Sequence, residues 1–386
     1  PVRLVGGRAT LSQSGQHTLG QAYIRTGDLD TALRIYQSML SESGGSGEAY
    51  AGLAMIHHLN GDWAGERAAW QNLTLLLPEQ AAAHFRLGEL LMLSDSGAAL
   101  DHLLLASQLD PEYDAAVQTL RTSVNLSELQ PDESQRLMIV GRGLGLVEEW
   151  PLAAEAFGLA VDEDQGNAEA WAWLGEAKQH LDQDGSREIE RALALDPGSA
   201  IVRALRGLYW KREGNHRAAL AEYQAAAELE PDNTAWKTAL GETYARLGDL
   251  VSALAAYRSA TEQSPQDATT WRLLATFCVE YGVQVQEVGL PAALNAAALA
   301  PDDALALDVL GWNQLNADQY YSAEQSLLRA LKIAPDLASA HLHLALAYLK
   351  SGQIDSAREH LERVLALDPD GLYGRQAEQV LNQNFP

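Results

Sequence analysis

The residues able to do chemistry in this chain are few, and their spacing does not suit it. Gly141-Arg142-Gly143-Leu144-Gly145 is the nearest approach to a phosphate-cradling loop. Such a loop needs a G-x-G-x-x-G spacing that follows a strand and opens a helix. This run has neither the spacing nor the strand, and it lies inside a helical pattern. Its inner glycines, Gly143 and Gly145, weaken that helix by about 1 kcal/mol each, and they leave room for a partner's backbone. The acidic turns at 162–167 and 182–185 misplace the glycine and the final glutamate of a calcium loop, so they read as solvated turns. His57-His58 and the His341/His343 pair lack the three- or four-residue spacing that sets two ligands on one helix face. His84 and His341 fall at equivalent points of a repeated pattern, which points to packing. Cys278 is the single cysteine, so neither an internal disulfide nor a cysteine-based metal site can form. G-x-S-x-G, Walker and HExxH patterns are missing from the sequence. The expectation is no catalytic residue, no metal, no cofactor and no enzyme.

The totals narrow the remaining classes. The chain has 386 residues, 47% of them hydrophobic and 20% charged, which suits a folded protein rather than a disordered one. Its 52 acidic and 27 basic residues leave a net charge of −25. That balance disfavours nucleic acid, whose phosphates need clustered Lys and Arg, and favours partners with basic patches. No apolar run reaches the roughly 20 residues of a membrane span. A soluble chain is expected, with the cytoplasm favoured over export or tethering. The start at 1–16 has no Met and no signal pattern, so it reads as a boundary that leaves an upstream signal, anchor or further domain open.

The elements that position these residues are repeats. Pro197, Pro231 and Pro265 are 34 residues apart, and so are Pro301, Pro335 and Pro369. Gly27-Asp28 falls on Gly61-Asp62 at the same period, and Tyr36 falls on Trp70. Within one period, Leu240, Tyr244 and Leu247 and then Leu250, Leu254 and Tyr257 recur at three and four residues, which predicts two consecutive helices. Gly-Asp supplies the turn between them. Small residues such as Gly241, Ala253 and Ala260 allow close packing, and the terminal proline ends the second helix. Neither helix can bury its apolar face alone, so units must stack.

This pattern resembles the tetratricopeptide repeat family over nearly the whole chain, from about residue 13 to 371. The opening aromatic and Leu-Gly stand at Trp171, Leu174 and Gly175. The remaining landmarks are plainest at Leu240-Gly241, Tyr244, Ala253, Tyr257, Ala260 and Pro265. Gly141 takes the family's small-residue position. The resemblance implies an all-α solenoid: a right-handed superhelix of about ten helical hairpins with first helices lining a concave face, plus one half unit and a capping helix.

The expected organisation is a leader at 1–12, three units at 13–113, a single-helix half unit at 114–133, seven units at 134–371, and a capping helix with tail at 372–386. Three breaks stand out. Between Pro111 and Pro131 only one helix fits. After Tyr281 the unit is two residues too long, and Pro291 forces its second helix to start near Leu290, which leaves Val283–Gly289 as an extended loop. The unit around 181–190 is two residues short. The first is either a block boundary that bends or offsets the superhelix or simple repeat decay, and the second either a contact site or a tolerated surface insertion.

By the resemblance, ligand contacts fall on the first helices, at Phe85, Arg86, Glu89, Met138, Arg142, Trp173, Glu176, Lys211, Arg212, Glu242, Arg246, Arg272, Trp312 and His343. Trp173 and Trp312 are either binding anchors or fillers between adjacent helices. The Lys and Asn set with which some members clamp acidic chaperone tails is not found. The expected function is a non-catalytic, bacterial-type scaffold that binds a basic or mixed-charge protein or peptide in its groove. The alternatives are a fragment of a larger enzyme or membrane protein, or a self-assembling structural protein.

Overall fold

The computed structural model describes residues 3–5, 8–43 and 45–385. It divides into two compact units, one ending at Pro197 and the other beginning at Gly198. In the first, β1 (Arg3–Val5) pairs antiparallel with β2 (Arg8–Thr10). The leader expected at 1–12 lies partly outside the described residues. Helical hairpins follow: α1 (Gln13–Arg25) with α2 (Leu29–Ser43), α3 (Gly47–Leu59) with α4 (Trp63–Leu76), and α5 (Ala81–Leu91) with α6 (Ser96–Leu109). A lone α7 (Asp114–Ser127) precedes the pairs α8 (Glu133–Leu146) with α9 (Trp150–Glu163) and α10 (Ala168–His180) with α11 (Ser186–Leu195).

The second unit pairs α12 (Ala200–Arg212) with α13 (His216–Leu229), α14 (Thr234–Arg246) with α15 (Leu250–Gln263), and α16 (Ala268–Glu280) with α17 (Leu290–Leu299). It continues with α18 (Ala304–Asn316) and α19 (Tyr320–Ile333), then α20 (Ala338–Ser351) and α21 (Ile354–Leu367), and ends with α22 (Leu372–Asn384). The fold is an all-α solenoid of helical hairpins.

The Gly-Asp signal does two jobs. Gly248 adopts φ 81°, a conformation side chains resist, and closes the turn. Asp249 then accepts a hydrogen bond from the Ser252 N–H at 3.0 Å and caps α15. In three turns a residue other than glycine takes this conformation: Glu148, Asp182 and Asp318 have φ of 64°, 55° and 60°. The small residues act by contact. A Cβ on Gly241 would lie 2.8 Å from the Tyr257 ring, and one on Gly141 2.6 Å from Phe157. Large side chains of second helices therefore pack directly on first-helix backbone, as buried Tyr223, Tyr257 and Leu327 do.

A second recurring device ties units together. At one framework position, a ring N–H donates to the carbonyl six residues earlier. Trp171 bonds Gln165 O at 3.1 Å, Trp271 bonds Pro265 O at 2.9 Å, His84 bonds Pro78 O at 3.0 Å and His341 bonds Pro335 O at 2.9 Å. Because Nε2 of each histidine must carry that proton, its Nδ1 is free to accept. His102 and His360 supply the donor, each through its Nδ1–H, at Nδ1–Nδ1 distances of 2.8 and 2.7 Å. The packing reading of His84 and His341 thus has a definite geometry.

The irregular segments differ from simple expectation. Gly143 admits not a partner but the chain's own α7: a Cβ there would collide with Ser123. Val285–Gly289 is not an extended loop. It is one turn of π-helix entered through Gln284 at φ 46°, and α17 begins at Leu290 with Pro291 in its first turn. Packing sets this geometry, since a Cβ on Gly289 would meet Cys278 Cβ at 2.8 Å and Asn313 Oδ1 at 2.5 Å. The short unit at 181–190 is accommodated by Gly185, which rests on the Gly175 carbonyl.

Candidate binding groove

Within the second unit, α12, α14 and α16 enclose a groove of about 440 Å³. Tyr223, Tyr257, Phe277 and Tyr281 line it. Tyr257 and Phe277 have ring centroids 5.3 Å apart, and Phe277 and Tyr281 5.4 Å apart. Burial, reinforced by Glu242, Tyr281 and Glu280, keeps the Tyr257 hydroxyl protonated far above its ordinary range. Around these rings stand Thr238, Glu242 and Arg246 of α14, Thr276 and Glu280 of α16, and Lys211 of α12. Lys211 Nζ holds Glu242 Oε1 at 2.7 Å. Arg246 and Glu280 are exposed and have no ion-pair partner among the described residues. The groove therefore offers one positive and one negative group beside an aromatic floor.

The structure brings Lys211, Glu242 and Arg246 together here. Arg212 is exposed nearby in sequence but does not line the groove. The sequence reading missed Thr238, Thr276, Glu280 and Tyr281. The first three sit four residues from, or at the same repeat positions as, residues it did choose. Tyr281 falls one residue beyond its helix.

The other candidates are engaged within the chain. Phe85 packs on Tyr113 at 4.6 Å between centroids, and Met138 is core. Arg142 lies over the Trp173 ring at 5.3 Å, and Trp173 stacks on Phe157 at 6.0 Å. The buried Trp173 Nε1 has no hydrogen-bond partner among the described residues. Glu176 contacts His180, which stacks on Trp150 at 3.6 Å. Arg272 faces Asp303 at 3.9 Å. His343 stacks on Trp312 at 4.6 Å, and its Nδ1 lies 2.7 Å from Asp308 Oδ1, with both members of that pair buried.

Arg86 and Glu89 belong to a buried cluster in the first unit. The Arg86 guanidinium reaches Glu66 at 2.7 Å, Glu89 at 3.0 Å and Glu149 at 2.9 Å. Burial works against the Glu66 charge, yet hydrogen bonds from its neighbours, Arg86 and Trp70 among them, hold its carboxyl down at about 2. Burial pushes Glu89 up to about 7, and Glu149 and Glu66 add to the rise that Arg86 opposes. Among the described residues no group of three or more His, Cys, Asp or Glu could hold a metal, and no helix is long and apolar enough to cross a membrane.

Stacked helical hairpins with this turn chemistry define a repeat protein. Tetratricopeptide repeat profiles match residues 17–75, 211–268 and 314–381. The chain belongs to the tetratricopeptide repeat family. The crystal structure of yeast Tom70 aligns over 96% of this chain and 94% of that one, at TM-score 0.50 and 14% identity. The crystal structure of the APC/C hetero-tetramer Cut9–Hcn1 aligns over 97% of each chain, at TM-score 0.50 and 16% identity. At such identities these likenesses bear on the fold alone. No curated protein matches the chain.

Proposed function

We propose that this chain is a non-catalytic protein–protein interaction scaffold, and that the α12–α14–α16 groove takes a segment of a partner protein. The supporting observation is the open groove itself, with an aromatic floor and with Arg246 and Glu280 in no ion pair among the described residues. Aromatic floors take an apolar or aromatic anchor, and the two charges fix its direction. A segment with an apolar residue flanked by opposite charges fits. The chain's net charge of −25 adds a preference for a partner with basic patches and argues against nucleic acid.

The test is affinity capture from native lysate with the chain and with an Arg246→Glu, Tyr281→Ala variant, both checked by circular dichroism. A protein held by the first and lost by the second supports the reading. Equal capture by both contradicts it.

A further inference from the structure

The Arg86 cluster has an uneven stoichiometry: one guanidinium faces three carboxylates. The groups come from separate elements. Glu66 lies on α4, Arg86 and Glu89 on α5, and Glu149 at the turn into α9. His58 of α3 completes the ring, with Nδ1 3.3 Å from Glu66 Oε2 and 3.1 Å from Arg86 Nη2. Without a proton that nitrogen accepts from the guanidinium, and with one it donates to the carboxylate. Tyr113 also feels the Glu89 charge. Glu66 and Glu89 are 1% and 5% exposed, so water cannot screen a third negative charge.

We propose that this cluster is a proton-linked clasp: one proton shared among its carboxylates holds α5 against α4 and the start of α9, and losing it loosens them. Three carboxylates round one guanidinium carry a net charge of −2, and one bound proton cuts that to −1. Glu89 is the site of exchange because it combines a single guanidinium contact with deep burial; Glu149 also has one contact, but its side chain is 22% exposed. Glu66 receives two contacts from the guanidinium and a hydrogen bond from Trp70 Nε1 at 3.1 Å, whereas Glu89 receives one contact. The direction of the linkage follows. A carboxyl held above its ordinary range stabilises the fold at acid pH, and that contribution is lost as pH rises through about 7.

The test compares unfolding midpoints of the chain and of Glu89→Gln between pH 5.5 and 8.5. The expected result is a midpoint that falls with rising pH in the chain by more than in the variant, whose amide keeps the neutral form. Parallel curves would overturn the proposal. Because the variant can fail to fold, the intact chain is also titrated by carboxyl ¹³C resonance after Glu labelling. One glutamate titrating near neutrality, with amide exchange in α5 and at the start of α9 rising in step and that in α14 unchanged, supports the clasp. All glutamates ionised by pH 5.5 would overturn it.

Discussion

The two units treat buried charge in opposite ways. In the first, one arginine, Arg86, serves three glutamates. In the second, one buried glutamate, Glu222, serves two arginines, Arg203 at 3.1 Å and Arg206. Arginine stays charged at any ordinary pH, so the second cluster has no proton to exchange there. Carboxylates crowded round one cation do, and the first cluster becomes sensitive to pH. The first-helix surfaces differ in the same sense. Phe85, Arg86, Glu89 and Met138 are engaged inside the first unit, while the second keeps Arg246, Glu280 and Tyr281 in an open groove. A repeat framework does not decide which positions face a partner; the side chains of neighbouring helices do.

The largest test of this contrast removes the charge at the centre of each cluster. Arg86→Met strands three carboxylates, two of them deeply buried, and should destabilise by about 4 kcal/mol in urea unfolding. Glu222→Gln should lose less, about 2 kcal/mol, because its arginines remain a fifth to a quarter exposed. Equal losses would break the comparison. Smaller effects distinguish glycines that admit a helix from glycines that do not. Gly143→Ala drives a methyl into Ser123 and should destabilise by about 2 kcal/mol. Gly158→Ala, in the middle of α9 with nothing within 4 Å, should stabilise by about 0.8 kcal/mol. The smallest effect lies in the turns. Glu148→Gly relieves a φ of 64°, and after the added freedom of the unfolded chain should raise stability by about 0.5 kcal/mol in the same unfolding series.

Much of the fold was legible because repeat landmarks are local. Pro265, Gly248, Asp249 and the Leu240/Tyr244 spacing each act within a few residues of themselves. The π-turn was not legible. Val285–Gly289 is held by Cys278 and Asn313, one before it in the same hairpin and the other in the next. The Arg86 cluster was hidden for a similar reason: its members stand at 58, 66, 86, 89 and 149, and only Arg86 and Glu89, three apart on α5, are linked by spacing. The groove was half legible. Glu242 and Arg246 share a helix face four residues apart, but Tyr281 lies past the end of α16 at the repeat position of Leu247, where periodicity reads as packing.

The most direct measurement places a photoreactive phenylalanine analogue at Thr276 in one sample and at Phe85 in another, with irradiation in native lysate. The account predicts protein adducts from position 276 and none from position 85. Adducts from position 85 alone, or from neither position, would contradict it.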